Sequence, residues 1–307
     1  MTRLTAILLA LTLAVLAACA PPGGGPNCDL VEIASTPMES RDRLLAVRVG
    51  IEGQWATMLV DTGAERTMLT ERAAERLRLV RDSRYVTASG GVGGTVRGAD
   101  ARVSGIVIGD VRFPVERVAV ARLGDGVPFD GLLGADILMA FDLDIDMPGG
   151  RLGIYRVRRC AQSDPPWAEP AVPIQGAAAM RDRMMVPLEV DGLTAVALLD
   201  TGAQASLLGQ SAARRLGLDE RRLAEDPVLR MRGVGSGTTD ARIHTFRQVR
   251  LGPISAQGMR LAVMPTDVGF GEALVGQDLL HGRRVWLSFP TRRVWVSERP
   301  GERLARP

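Results

Sequence analysis

MLVDTGA, residues 58–64, sets the pattern that the rest of the chain follows. Its apolar residues lead directly into Asp61, which is typical of a buried strand that ends in a carboxylate. A charged group in a low-dielectric site has to be paired or neutralised. A carboxylate at this position therefore indicates a functional role. Gly63 permits a sharp turn that brings backbone N–H groups near the carboxylate, and the Thr62 hydroxyl can hold that turn.

The pattern returns 139 positions later as LLDTGA at residues 198–203, with Asp200 in the place of Asp61. A single Asp-Thr-Gly is weak evidence, because so short a motif also arises by chance. Here further segments recur in the same order, namely RDR (41–43 and 181–183), a Gly-rich segment (91–94 and 233–236), and GLLGADIL (131–138) as ALVGQDLL (273–280). A duplication of roughly 120 residues is too long for a solenoid repeat and predicts two related lobes.

Short apolar runs broken by Gly and Pro fill both halves, so the sequence predicts an all-β fold with one or two short helices in each lobe. Helices are predicted at 70–79 and 210–216, where Ala and Leu recur at helical spacing. The predicted domains are a signal peptide (1–18), a tether (19–40), a first lobe (41–158), a Pro-rich linker (159–180), a second lobe (181–300) and a tail (301–307).

Composition excludes several classes of function. The chain has 307 residues and a formal charge of +3, and its 38 basic residues are all Arg. Without Lys, neither a phosphate-binding P-loop nor a Schiff-base lysine can form. The few aromatic residues are not interleaved with a basic cluster, so nucleic-acid binding is not expected. His244 and His281 are the only histidines and no spacing resembles a zinc site, so neither a metal nor another cofactor is expected.

The first 18 residues are predicted to be an export signal. Arg3 precedes an apolar run of about 14 residues, which is too short for a comfortable membrane span and typical of a secretory signal. LAAC at 16–19 resembles a bacterial lipoprotein signal, in which Cys19 carries the lipid. An ordinary secretory signal with an incidental Cys is the alternative. Ala20 follows Cys19 where an Asp would indicate inner-membrane retention, so the periplasmic side of the outer membrane is expected, with membrane contact through the anchor alone.

Export also bears on the two remaining cysteines. With Cys19 lipidated, Cys28 and Cys160 are left as one pair in an oxidising compartment. We therefore predict a disulfide between them, and two free, buried thiols are the alternative.

The repeated motifs carry a family resemblance. Apolar-apolar-Asp-Thr-Gly-Ala, a Gly-rich segment, and apolar-apolar-Gly before a short helix together resemble one lobe of a retropepsin-like aspartic protease. The resemblance covers both halves, at about 41–157 and 181–297. Because both copies lie in one chain, it implies a pseudo-dimer of two β-barrel lobes, similar in outline to the bilobal pepsin-like chains, and a monomeric protein.

This resemblance implies an aspartic endopeptidase that hydrolyses a protein or peptide substrate. Asp61 and Asp200 would form the catalytic dyad, since two carboxyls held close together cannot both ionise and so share a proton; aspartic proteases are the best-known example. The remaining implied site residues are dyad support and substrate contacts (Thr62, Gly63, Ala64, Thr201, Gly202, Ala203) and two flap tips (Gly91, Val92, Gly93, Gly94 and Gly233, Val234, Gly235).

The sequence departs from the viral pattern at the residues of one ion pair. That pattern pairs the acid just after DTGA with an Arg after the apolar-apolar-Gly motif, but Glu65 is matched here with Ala135, and Gln204 with Gln277. That ion pair is therefore expected to be missing in both lobes. Two further acids, Asp136 and Asp278, recur in register and are predicted to cap the starts of short helices.

Three other interpretations stay open. The chain could be an inactive peptide-binding or scaffold lipoprotein that keeps the protease fold. Each lobe could instead pair with a lobe of another chain. A glycosidase also needs two carboxylates, but that function does not account for the Thr-Gly-Ala context or the Gly-rich segments.

Overall fold

The structure is a computed structural model that describes residues 29–123, 128–158, 164–180, 183–233, 237–267, 271–299 and 304. The predicted signal peptide lies outside these residues. So do the lipidation site Cys19, the disulfide pair Cys28 and Cys160, and the flap residues Val234 and Gly235. Within the described ranges, no helix is long and apolar enough to span a bilayer.

Short strands make up most of the fold. The first lobe and the strand before it contain β1 (Asp29–Arg41), β2 (Leu44–Ile51), β3 (Gln54–Val60), β4 (Met68–Thr70), α1 (Glu71–Arg76), β5 (Arg81–Gly91), β6 (Gly94–Arg102), β7 (Ile106–Ile108), β8 (Val111–Phe113), β9 (Arg117–Ala121), β10 (Gly131–Leu133), α2 (Ala135–Leu138), β11 (Asp142–Asp146) and β12 (Arg151–Arg158). The linker contributes β13 (Ala171–Pro173) and β14 (Ala178–Met180).

The second lobe repeats this order. It contains β15 (Arg183–Val190), β16 (Leu193–Leu199), β17 (Leu207–Leu208), α3 (Gln210–Arg215), α4 (Glu220–Leu223), β18 (Val228–Arg232), β19 (Thr238–Leu251), β20 (Ile254–Val263), β21 (Ala273–Val275), α5 (Gln277–Leu280), β22 (Arg284–Ser288) and β23 (Arg293–Ser297). The predicted all-β class with a few short helices is confirmed, and the helices predicted at 70–79 and 210–216 appear as α1 and α3. One short helix of the second lobe, α4, has no counterpart among the described residues of the first.

Each lobe places its Asp at the end of a central strand. β3 is antiparallel to β2 and parallel to β10, and β16 is related in the same way to β15 and β21. The backbone N–H of Asp61 donates to Leu133 O at 3.0 Å, and that of Asp200 donates to Val275 O at 2.9 Å. The apolar-apolar-Gly segments therefore fix the point where each acid leaves its sheet.

The strand register corrects one of the sequence repeats. The first hairpin closes with the pair Arg41–Leu44 and the second with Met180–Arg183. Leu44 and Arg183 are thus equivalent, each 17 residues before its Asp. The repeated RDR is displaced from this register by one residue, so it is a coincidence of sequence and not a structural repeat.

A sheet built from both lobes joins the two halves. Its strand order is β13-β23-β22-β11-β12-β1, and β11 pairs directly with β22 across the lobe boundary. We call it the interlobe sheet. β1 continues from it to pair with β2, so most of the predicted tether is a strand, and two strands also lie in the predicted linker. Proline is tolerated at strand ends and edges, which is why Pro-rich composition concealed these elements.

Buried charges lie on the interlobe sheet. Asp144 has a fully buried side chain and accepts two hydrogen bonds from Arg284, Nε to Oδ1 at 2.8 Å and Nη2 to Oδ2 at 2.6 Å. The indole N–H of Trp167, in the linker, donates to the same carboxylate at 3.1 Å. Arg284 also pairs with Glu169 at 2.8 Å. The linker thus covers this face of the sheet, and an ion pair crosses between the lobes beneath it.

Candidate active site

The fold brings Asp61 and Asp200 together. Their carboxyl groups interact directly although 139 residues separate them in sequence. Gly63 lies directly against Asp200, and Gly202 directly against Asp61, so that a β-carbon at either glycine would overlap the opposite carboxyl. Glycine is therefore required here for close approach, and the two DTGA segments form one site.

Backbone groups orient each carboxyl. Asp61 Oδ1 accepts from the N–H groups of Gly63 at 3.0 Å and Ala64 at 2.9 Å. Asp200 Oδ1 accepts from Gly202 N at 2.8 Å. The turn that follows each Asp therefore supplies backbone donors to its carboxyl, as expected from the sequence.

Two buried threonines lock the loops to one another. The Thr62 hydroxyl donates to Leu199 O at 2.8 Å, and the Thr201 hydroxyl donates to Val60 O at 2.7 Å. Each hydroxyl also accepts from the backbone N–H of the other threonine at 3.1 Å. Every one of these bonds crosses between the lobes, so the threonines fix the separation of the acids.

Replacing Thr62 or Thr201 with Val should destabilise the protein by about 1–3 kcal/mol, because it leaves a buried carbonyl and a buried N–H without partners. Urea unfolding of each variant measures this loss. Thr194→Val, on the exposed face of β16, is the matched control and should change stability by less than about 0.5 kcal/mol. A result in which Thr201→Val matched Thr194→Val would contradict the interlocking role.

The electrostatics of the pair favour one shared proton. Burial raises the pKa of Asp61. The N–H groups of Ala64 and Gly63, which donate to its carboxylate, oppose that rise. Burial raises the pKa of Asp200 well above its ordinary range, and the negative charge of Asp61 raises it further. Because the two carboxyls titrate together, their proton belongs to the pair.

This pair should make stability depend on pH. A carboxyl with a raised pKa binds its proton more tightly when folded, so stability falls as pH rises from the unfolded value of about 4 through the folded pKa. Asp200→Asn removes the carboxyl whose pKa is raised most. The free energy of unfolding of this variant should therefore fall less than that of the natural chain between pH 4 and pH 7. Urea unfolding at several pH values tests this, and parallel curves for the two proteins would refute it.

A second layer of hydrogen bonds supports each loop. Thr67 Oγ1 donates to Asp136 Oδ1 at 2.7 Å and accepts from Gly134 N at 3.0 Å. Ser206 and Asp278 repeat this contact in the second lobe at 2.6 Å. The prediction that Asp136 and Asp278 cap helices is wrong, because glycines occupy the N-cap positions and each acid lies inside the first turn. Their carboxylates tie the hydroxyl residue after DTGA to the strand end beside it.

The acid that follows the first DTGA forms an ion pair with a different partner from the one in the viral pattern. Glu65 pairs with Arg183 of the opposite lobe at 2.9 Å. At the related position, Gln204 Nε2 donates to Asp42 O at 3.2 Å, also across the lobes. Gln277 Nε2 donates to Thr201 O at 2.9 Å within its own lobe. Sequence analysis missed the Glu65–Arg183 pair, because the displaced RDR match concealed that Arg183 replaces Leu44.

The tips of the two Gly-rich hairpins that the sequence predicts to be flaps contact each other. The first flap is the β5–β6 hairpin and the second is the β18–β19 hairpin. Gly237 N donates to Gly93 O at 2.9 Å, and the Thr239 hydroxyl donates to Val92 O at 2.8 Å. Gly233 also lies against Val92. The described flap residues therefore form a closed arrangement.

Each lobe has an apolar cluster against which the Ala of its DTGA segment, Ala64 or Ala203, packs. The first-lobe cluster consists of Ala46, Leu59, Met68, Val96, Ala119, Ala121, Leu123, Phe129 and Leu132. The second-lobe cluster consists of Met185, Leu198, Leu207, Ala241, Ala262, Met264 and Leu274, and Val92 of the first flap packs against it. Within the described part of the chain, no group of three or more His, Cys, Asp or Glu side chains could hold a metal ion.

Comparisons with known proteins agree with this geometry. Residues 47–137 and 186–279, more than half of the chain, match the family model described as aspartyl protease, and each segment includes one Asp of the pair. A solved structure, the aspartic proteinase from Irpex lacteus, is similar with a TM-score of 0.53 and 15% identity over 88% of this chain and 97% of that one. At that identity the likeness concerns the fold, and no curated protein matched the chain. The chain belongs to the aspartyl protease family.

Proposed function

We propose that this protein is an aspartic endopeptidase that hydrolyses peptide bonds through a water molecule activated by Asp61 and Asp200. The observation that carries the proposal is the pair of adjacent carboxyls, one from each lobe, with the glycine of each DTGA segment packed against the opposite acid. Both DTGA segments are intact, and both carboxyls keep their backbone donors. A chain that had lost turnover would not be expected to retain both halves of this arrangement.

The chemistry needs one ionised and one protonated carboxyl. The ionised carboxylate takes a proton from water as the water oxygen bonds to the peptide carbonyl carbon, and the protonated carboxyl gives its proton to the carbonyl oxygen. The tetrahedral intermediate then collapses, a proton passes to the amide nitrogen, and the C–N bond breaks. The two products are a carboxylic acid and an amine, and the dyad is left with one proton.

The surrounding residues would bind substrate and exclude water. By family resemblance, Gly63 and Gly202 would line the substrate backbone beside the acids. The flaps have to open to admit a chain and would then close over it. Because apolar clusters adjoin the dyad on both sides, we expect apolar side chains next to the cleaved bond.

One chain is expected to form the whole site, since the threonine lock, the Glu65–Arg183 pair and the interlobe sheet all join parts of the same molecule. A monomeric mass with full activity would support this, whereas activity that rises with the square of concentration would favour pairing between chains. Export as a lipoprotein anchored through Cys19 remains a proposal from the sequence.

The function is tested by incubating the full chain with an unfolded protein between pH 3 and pH 7 and identifying the fragments by mass spectrometry. We expect internal cleavage that a peptide analogue with a tetrahedral hydroxyl-bearing carbon inhibits, because such a group mimics the intermediate. The Asp61→Asn/Asp200→Asn double variant is the control. If the natural chain bound the analogue but cut nothing, the protein would be a peptide-binding scaffold.

A further inference from the structure

The two halves of the candidate site carry different charges. Leu44 is the first residue of β2 and Arg183 is the first residue of β15, and the strand register makes them equivalent. The residue after DTGA also differs, because Glu65 stands in one loop and Gln204 in the other. A cation and an anion thus lie at one end of the site, and two uncharged side chains lie at the other.

Arg183 is held close to the loop that carries Asp61. Its side chain is 13% exposed and pairs with Glu65, which follows Asp61 by four residues and is 46% exposed. Burial raises the pKa of Asp61, and the N–H groups of Ala64 and Gly63 and the positive charge of Arg183 all act against that rise. Burial and the negative charge of Asp61 raise the pKa of Asp200.

No comparable cation accompanies Asp200 among the described contacts. Leu44 packs against the apolar first-lobe cluster, and Gln204 contacts a backbone carbonyl. Among the described contacts, Arg183 is the cation that acts on Asp61, and Glu65 opposes it. The charge that acts on Asp200 is that of Asp61. The loop of Asp61 is the better place for the single negative charge.

We propose that Arg183 keeps the negative charge of the dyad on Asp61, which makes Asp61 the base that takes the proton from water and Asp200 the acid that protonates the carbonyl oxygen. This inference rests on the proposed function. Arg183 acts through Asp61 and does not touch the reacting atoms, so it is a positioning residue. The lobes of this chain thus have fixed and different roles, although their DTGA segments are identical.

The test is the pH dependence of kcat/KM for a peptide substrate, measured on the full chain. Arg183→Leu, which copies the residue of the first lobe, should move the acid limb of the profile upward by about one pH unit, because the ionised base loses its cation. Glu65→Gln should move the same limb downward, because Arg183 then acts without an opposing carboxylate. Arg183→Lys should retain the natural profile.

Opposite shifts for two partners of one ion pair distinguish electrostatic positioning from a structural role. If the pair only braced the lobes, both variants would lose activity and the acid limb would stay in place, which would overturn the inference. Arg250→Leu, which removes an exposed Arg from the same lobe, is the control for net charge. If Arg183→Leu does not fold, Arg183→Gln, which removes the cation but keeps a polar side chain, should move the acid limb upward in the same way. A natural chain that cleaves nothing would instead overturn the proposed function.

Discussion

Replacing either Asp61 or Asp200 with Asn should lower kcat for peptide hydrolysis by about 10³-fold or more while the chain stays folded. Asn keeps the shape of the side chain but can neither accept the proton of water nor hold the shared proton. Because the two carboxyls act as a unit, removing both should cost little more than removing one. The measurement is steady-state kinetics on a peptide found in the cleavage assay, with circular dichroism to verify folding.

Asp110→Asn provides a matched control for this series. Asp110 is exposed and lies in the turn between β7 and β8, away from both DTGA loops, so its replacement should leave kcat unchanged. The hypothesis of one shared dyad fails if a single Asp variant keeps a tenth of the natural activity. It also fails if the losses of the two single variants multiply in the double variant, because that outcome requires two independent sites.

The candidate site was largely predictable from the sequence. The apolar strand that ends in Asp-Thr-Gly-Ala occurs twice in the sequence, and the family resemblance implied that the two copies meet. The structure brings Asp61 and Asp200 together and interlocks Thr62 with Thr201, as the family resemblance implied. The flap tips also meet, although part of the second tip lies outside the described residues.

Contacts between the lobes were less predictable, because they depend on strand register and on distant partners. Arg183 matches Leu44 when residues are counted back from each Asp, and the closing pairs of the hairpins agree with that register. A repeated tripeptide suggested a register that is wrong by one residue. Similarly, the alternating acids of β11 predict a strand with one polar face, but nothing local to that segment indicates that Arg284 lies opposite.

The interlobe sheet also makes the two lobes non-interchangeable. In the natural sheet, Asp146 lies opposite Arg284, and Asp142 lies opposite Ser288. If the first lobe paired with a copy of itself in the same register, Asp142 would face Asp146 and the two copies of Asp144 would face each other. Buried like charges are strongly unfavourable, so this sheet favours closure of one chain over exchange between chains.

Arg284→Met should destabilise the protein by about 3–5 kcal/mol, because removing one partner of a buried ion pair leaves an uncompensated charge. Asp144 would keep the Trp167 indole donor and a distant Arg151, at 3.7 Å, but would lose both bonds from the guanidinium. Urea unfolding at pH 7 measures the loss. Arg247→Met is the control, since that side chain is 87% exposed and 3.7 Å from its partner, and its replacement should cost less than about 1 kcal/mol.

A double-mutant cycle separates the ion pair from simple loss of packing. Because Asn at position 144 carries no charge, Arg284→Met should cost less in an Asp144→Asn background than in the natural chain, by at least about 1 kcal/mol. Equal costs in both backgrounds would mean that Arg284 stabilises the sheet through packing of its aliphatic stem and of its guanidinium, whose carbon lies 4.9 Å from the centroid of the Trp167 ring. The union of the lobes would then depend on hydrophobic packing, and the argument that charge prevents self-pairing would lose its basis.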